Sequence, residues 1–160
     1  MSTLNFFKAC LQSEMEATYN VIKALPSDKL DYRPHEISRS AYELAEHIIA
    51  HAYDFTVILR NDKCDECLEL PFSGSQDGAD KLKKYWEETM NILENYNEND
   101  FDTAMVELLV SGNPFGTMPR GNMMWFFLFD VIHHRGQLSS YIRPMGGKNP
   151  AVYGYSADTV

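Results

Sequence analysis

Two segments of the chain carry ionisable side chains within otherwise apolar helical patterns. In the first, His47 and His51 are four residues apart and project onto the inward face of a predicted helix. In the second, Asp130 and His134 have the same spacing, on a face that also carries Gln137. Such groups need partners, because an unpaired polar or charged group is costly to bury. We therefore expect the two segments to meet through these side chains.

Spacing alone leaves two ways of satisfying His47, Asp130 and His134. Two imidazoles and one carboxylate can bind a divalent metal ion, and such a set suits Zn, Ni, Mn or Fe(II) with coordination positions left open for water or substrate. His51, one turn beyond His47, is then a spare ligand. Alternatively, Asp130 and His134 form a hydrogen bond and His47 is satisfied by the backbone, which is the more ordinary arrangement for core histidines.

Four periodic apolar patterns predict the elements that position these residues. Pro26 ends the first pattern, a capping box of Ser40 and Glu43 begins the second, and Pro144 follows the last. The predicted helices run from Leu4 to Leu25, from Ser40 to about Arg60, from Leu82 to Tyr96, and from Pro119 or Gly121 to Ile142. In the absence of a repeat or a composition break, the sequence predicts an all-α four-helix bundle, a single domain over residues 1–160.

Two regions of this pattern leave alternatives open. The segment from Asn97 to Asn122 is less regular, and Met105 to Val110 within it predicts a short helix or a strand. The last helix is apolar nearly all round, so its back face either packs under the long connection or forms a twofold homodimer interface. That back face consists of Met124, Trp125, Leu128, Phe129 and Ile132.

The composition argues against several classes of partner. A net charge of -9, from 14 basic and 23 acidic residues, disfavours binding to a nucleic-acid backbone. The longest apolar run, Met123 to Phe129, is far too short to cross a bilayer, and the N-terminal residues contain no secretory signal, so we expect a cytoplasmic protein without a membrane partner. Cys64 and Cys67 form a CxxC pair, but it follows a helix in an acidic stretch, which disfavours a redox role.

Several motifs towards the two ends of the chain are distinctive. They are Leu30-Asp31-Tyr32-Arg33-Pro34, Ser40-Ala41-Tyr42-Glu43-Leu44-Ala45-Glu46-His47, His133-His134-Arg135-Gly136-Gln137-Leu138, Tyr141-Ile142-Arg143-Pro144-Met145-Gly146-Gly147 and Pro150-Ala151-Val152-Tyr153-Gly154. With these motifs the chain resembles the DinB family of damage-inducible proteins. The resemblance implies a four-helix bundle with up-up-down-down type connectivity, frequent homodimers, and a divalent metal held by three histidines. It also implies relatives that transfer low-molecular-weight thiols such as bacillithiol or mycothiol.

By resemblance, the family's metal ligands fall on His47, Asp130 and His134, and Asp130 stands where the family usually has His. The implied activity is that of a metal-dependent thiol S-transferase, or a hydrolase, acting on a small electrophile. Gln137 or Tyr141 would then orient the substrate. The alternative is a noncatalytic stress-response or binding protein whose buried His/Asp cluster is structural.

Arg135 has two interpretations in the same motif. It either meets a carboxylate of the thiol substrate, or it forms a salt bridge within the protein or lies at its surface.

Overall fold

The computed structural model describes residues 1–66 and 68–159. Long helices occupy the places that the periodic patterns predicted, and the third begins earlier, at Ser75 rather than Leu82. In chain order the elements are α1 (Thr3–Lys23), a 3-10 turn (Ser27–Lys29), α2 (Ala41–Arg60), β1 (Lys63–Glu66), α3 (Ser75–Glu94), α4 (Glu98–Thr103), β2 (Met105–Val110), β3 (Asn113–Pro119) and α5 (Arg120–Ile142).

The predicted all-α fold class is wrong, because the chain also forms a mixed sheet of three strands in the order β1-β2-β3. β1 pairs in parallel with β2, Cys64 opposite Leu108, and β2 pairs in antiparallel fashion with β3. Met105–Val110, predicted as a short helix or a strand, is the central strand, with Val106 and Leu108 buried at a period of two residues. The fold is therefore an assembly of helices with a small sheet, not a helical bundle alone.

The turn between β2 and β3 explains why these two strands fold back on each other. Ser111 and Gly112 both adopt positive φ, 52° and 77°. Two consecutive residues of this kind suit the right-handed twist of a hairpin.

Each of the four long helices packs against two of the others, and α2 and α5 are direct neighbours. The capping box predicted at Ser40 is present: its Oγ accepts from the Glu43 amide at 3.1 Å, and the Glu43 carboxylate accepts from the Ser40 amide at 2.6 Å. This cap fixes the start of α2 two turns before His47. The core between the helices contains the fully buried aromatic side chains of Phe7, Phe55, Trp86, Phe101 and Phe127.

The back face of α5 is only partly covered. Met124 and Leu128 are fully buried, whereas Phe129 is 61% exposed and stacks beside Trp125. The homodimer interface expected here stays a prediction. In the described part of the chain, no helix is long and apolar enough to cross a membrane.

Gly121 allows α4 to approach α5 closely, so Gly121→Ala should be destabilising. An added Cβ would lie 2.6 Å from the Phe101 ring and 3.0 Å from the Phe101 carbonyl oxygen. Overpacking of this kind lowers the free energy of unfolding by about 1–3 kcal/mol. The matched control is Gly136→Ala, where a Cβ meets nothing within 4 Å, and it should stabilise α5 by about 0.5–1 kcal/mol. Urea unfolding of both variants measures the difference; equal effects would contradict the packing argument.

Candidate metal centre

Three imidazole nitrogens converge on one carboxylate oxygen between α2 and α5. The Oδ2 atom of Asp130 lies 2.9 Å from Nε2 of His51, 3.1 Å from Nε2 of His47 and 3.2 Å from Nε2 of His134. The structure thus brings together His47, Asp130 and His134, the residues predicted as metal ligands, with ligand atoms all within 4.8 Å of one another. The spare histidine, His51, lies in the same cluster.

Helical spacing explains this convergence. His47 and His51 are one turn apart on α2, with ring centroids 4.3 Å apart, and Asp130 and His134 are one turn apart on α5. The rings of His47 and His134 meet edge to face across the helix pair, at 4.8 Å between centroids. Each helix therefore contributes two ligand atoms from a single face.

Hydrogen bonds at the far side of two rings determine which nitrogen faces the centre. Nδ1 of His134 donates to Oε1 of Gln137 at 2.8 Å, and the Gln137 amide nitrogen lies 3.1 Å from Nε2 of His133. Nε2 of His134 then faces the Asp130 carboxylate, as an N–H donor in an imidazolium and as a lone pair in a neutral ring. Nδ1 of His51 lies 3.2 Å from Oδ2 of Asp54. Partners of this kind at Nδ1 are typical of metal-binding histidines.

The charges of the cluster are strongly coupled. Burial raises the pKa of the Asp130 carboxyl, but hydrogen bonds from His134, His47 and His51 outweigh it and hold the pKa well below its usual range. Burial lowers the pKa of His51, but Asp130 and Asp54 on its two sides raise it to about 9. Burial also lowers the pKa of His47, which Asp130 only partly opposes. Without a metal, His51 is protonated at neutral pH.

Sequence reasoning missed two carboxylates of the centre. Asp54 is 3% exposed, and its spacing of three residues from His51 within an apolar stretch of α2 is a signal that could have identified it. Glu66 has Oε1 at 3.8 Å from Nε2 of His47 and 4.0 Å from Nε2 of His51. No local pattern identifies Glu66, because it is brought there by β1, which pairs with a strand from much later in the chain.

The predicted substrate-binding residues lie in three different environments. Gln137 holds His134, as described above, and the Tyr141 hydroxyl donates to the Arg39 carbonyl at 3.3 Å. Arg135 is buried against α1, where its guanidinium binds the Glu14 carboxylate at 2.5 Å. This contact corresponds to the salt bridge that the sequence left open as an alternative.

Cys64 is buried in β1, and burial raises the pKa of its thiol far above the usual value, which disfavours a reactive thiolate. Cys67, the other half of the CxxC pair, lies outside the described residues.

A cavity of about 400 Å³ opens beside the cluster. The side chains of His47, Asp54 and Glu66 form part of its wall. This volume is in the range of sites for small molecules. The cluster therefore has access to a ligand from one side.

Comparison with known proteins confirms the resemblance seen in the motifs. A sequence model described as "DinB family" matches residues 1–159. The uncharacterized protein YjoA of Bacillus subtilis is 28% identical over 140 residues, which cover 84% of this chain and 85% of YjoA. The crystal structure of YjoA, a DinB-like protein, superposes with a TM-score of 0.69 at 25% identity, over 88% of this chain and 91% of that one. A DinB-like protein from Bacillus cereus shares the fold, with a TM-score of 0.71 at 20% identity over 92% and 95% of the two chains.

The raised pKa of His51 predicts a pH-dependent stability of the metal-free protein. A histidine with a folded-state pKa of about 9 contributes stability that is complete below its unfolded pKa and disappears as the pH rises through 9. Between roughly pH 6.5 and 9 the free energy of unfolding should therefore fall, by up to about 3 kcal/mol. The measurement is urea unfolding of metal-free protein across this range. His51→Gln should remove the slope; an unchanged slope would assign it to another group.

Proposed function

The chain belongs to the DinB family, and we propose that His47, Asp130 and His134 bind a divalent metal ion of the Zn, Ni, Mn or Fe(II) group. The observation that carries this proposal is the position of His134. Its Nδ1 donates to Gln137, so Nε2 of a neutral ring is an acceptor that faces the acceptor oxygen of Asp130 at 3.2 Å. A proton or a metal ion must lie between two acceptors at this distance, and His47 adds a third donor atom beside them, which a metal ion can use and a single proton cannot.

The donor set fits such an ion. Imidazole nitrogen and carboxylate oxygen together suit divalent first-row metals of borderline softness. Two imidazoles and one carboxylate leave coordination positions open, as in catalytic rather than structural sites. His51 is a spare nitrogen ligand and Glu66 a spare oxygen ligand, because their ligand atoms and that of His47 also lie within 4.8 Å of one another.

The finer proposal is a metal-dependent thiol transfer, in which the thiol sulfur bonds to an electrophilic carbon, the leaving group departs from that carbon, and the thiol proton goes to solvent. Water in place of the thiol would hydrolyse the same bond. A divalent ion held in this centre would supply Lewis-acid activation, since it lowers the pKa of a thiol or a water molecule. Neighbouring residues would hold the histidine rings in place for this chemistry. Gln137 fixes the His134 ring, and the Asp54 carboxylate fixes the His51 ring. The cavity beside His47 would admit the substrate.

A second candidate function is a noncatalytic binding or stress-response protein, in which the cluster only joins α2 to α5. One observation favours it: His51 lies between two carboxylates, with Asp54 at 3.2 Å and Asp130 at 2.9 Å. The imidazolium of His51 can therefore bond to both carboxylates without a metal. The two candidates differ in whether a metal replaces this proton as the main cation of the centre.

Metal content separates the two candidates. Protein purified without a polyhistidine tag should contain a single divalent ion per chain by elemental analysis, and it should be lost in His134→Ala and His47→Ala. Gln137→Ala should weaken zinc binding by about 10–100-fold, because it removes the partner of Nδ1. The matched control is His133→Ala, whose ring contacts Gln137 but not Asp130, and it should keep the metal. Metal-free native protein that also binds no added zinc would exclude the metal centre.

Turnover is the test of the enzymatic proposal. Metal-loaded protein, incubated with a thiol and a chromogenic electrophile, should form conjugate faster than the uncatalysed reaction. His47→Ala should lower the rate by at least about 100-fold, since removal of a group that stabilises the transition state has effects of this size. His133→Ala should retain the wild-type rate. Absence of conjugation with every thiol tested, in protein that holds its metal, would favour the noncatalytic function.

A further inference from the structure

Two sets of ligand atoms meet at His47. The first is the proposed metal centre of His47, Asp130 and His134, and the second consists of His47, His51 and Glu66. Within each set, the ligand atoms all lie within 4.8 Å of one another. The first set joins α2 to α5, whereas the second joins α2 to β1. The cluster therefore offers two neighbouring positions for a cation.

The second set has distances that suit a metal ion. Oε1 of Glu66 lies 3.8 Å from Nε2 of His47 and 4.0 Å from Nε2 of His51. Bonds of about 2.1 Å from one ion to two ligand atoms place those two atoms about 3–4 Å apart. The Glu66 oxygen and an imidazole nitrogen of α2 therefore need only small movements to bind the same ion.

His51 has a partner on its far side that suits a metal ligand. Oδ2 of Asp54 lies 3.2 Å from Nδ1 of His51, and both side chains are almost fully buried. In a neutral ring, this contact keeps the proton on Nδ1 and leaves the lone pair of Nε2 for an ion. A carboxylate behind a histidine is typical of metal sites, where it orients the ring and makes it more basic. The Asp54–His51 pair therefore points to an ion in front of Nε2, independently of Glu66.

His47 cannot serve both positions at once, because its Nε2 has a single lone pair and the proposed metal centre uses it. Asp130 can replace His47 in the second set. A carboxylate has two oxygens and can bind one ion with each, and Oδ2 of Asp130 lies 2.9 Å from Nε2 of His51. A second ion would then have His51, Glu66 and a shared Asp130 as its ligands.

We propose that the centre binds two divalent ions, which share the carboxylate of Asp130. His47 and His134 complete the ligands of the first ion, and His51 and Glu66 complete those of the second. Such ions lie about 3.5–4 Å apart in enzymes with two-metal sites. The pairing of the two ions rests on the proposed function, whereas the second position does not.

The second ion is the more weakly bound of the two. Its ligands are one imidazole and two carboxylates, one of which is shared, and the positive charge of the first ion repels it. A set rich in oxygen suits harder ions such as Mn²⁺. We therefore expect purified protein to keep the first ion alone, and excess Mn²⁺ to fill both positions. Glu66 lines the cavity beside His47, through which the second ion can enter from solvent.

The test is equilibrium dialysis of metal-free protein against excess Mn²⁺, followed by elemental analysis. Wild-type protein should bind two ions per chain, and Glu66→Gln should bind one, because a neutral amide is a much poorer ligand than a carboxylate. The matched control Glu69→Gln removes the same charge from the wall of the same cavity, but Glu69 belongs to neither ligand set, so this variant should still bind two. Two ions in Glu66→Gln would overturn the proposal.

Electron paramagnetic resonance tests the pair without any substitution. Two Mn²⁺ ions that share a carboxylate are magnetically coupled, so the spectrum of fully loaded wild-type protein should lose the resolved hyperfine lines of isolated Mn²⁺. Two bound ions that keep these lines would be independent ions at exposed carboxylates, and this result would overturn the proposal even if Glu66→Gln did not fold.

Variants on the two sides of Asp130 keep this proposal apart from the proposed function. If both are correct, Glu66→Gln and His134→Ala each keep one of the two ions. A single wild-type ion that is kept in Glu66→Gln and lost in His134→Ala refutes the second position and leaves the proposed metal centre. A single ion with the opposite behaviour refutes the ion pair and the proposed centre, and leaves His51 and Glu66 as the metal site. Absence of any bound Mn²⁺ or Zn²⁺ refutes both.

Discussion

The carboxylate of Asp130 is the point on which the arrangement of α2 and α5 depends. Its Oδ2 atom is within hydrogen-bonding distance of three imidazoles, two from α2 and one from its own helix. A half-buried carboxylate is unfavourable unless it is paired, and here its partners are ring nitrogens that are themselves costly to bury without a hydrogen bond. The helices must therefore keep one register relative to each other, because a shift of one turn would separate the pairs and leave charges unpaired.

The small sheet completes the centre on the side that the helices leave open. β1 follows α2 after a short connection and pairs with β2 from much later in the chain, which places Glu66 opposite Val110. Glu66 faces His47, and Val110 lines the same cavity. The helices thus supply the imidazole nitrogens of the cluster, while the sheet supplies part of the wall of the cavity beside them.

Local patterns in the sequence were sufficient to predict the long helices and the His and Asp side chains that face each other between α2 and α5. The capping box at Ser40 and the four-residue spacings of His47 with His51 and of Asp130 with His134 depend only on neighbours in the chain. The sheet could not be predicted in this way. β1 pairs with a strand more than 40 residues away, and β3 contains Pro114 and Gly116, residues that disfavour a strand in any local pattern.

The two carboxylates that sequence reasoning missed at the site differ in the same way, since one depends on neighbours in the chain and the other on the sheet. Asp54 lay within reach of sequence reasoning, because a charged residue on the buried side of α2 signals a partner. Glu66 required the sheet. For Arg135 the sequence left two interpretations, and the structure has the salt bridge within the protein: it is buried against Glu14 and joins α5 to α1.

An aspartate at position 130, where the resemblance to the family implies a histidine, adds a negative charge to the centre. Three carboxylates, those of Asp54, Glu66 and Asp130, lie within 4.0 Å of the His51 ring. A divalent ion bound beside them would meet this negative charge directly, whereas a histidine at position 130 would offer a neutral ring nitrogen in place of the carboxylate. The substitution therefore favours cation binding in the centre and disfavours an anion beside it.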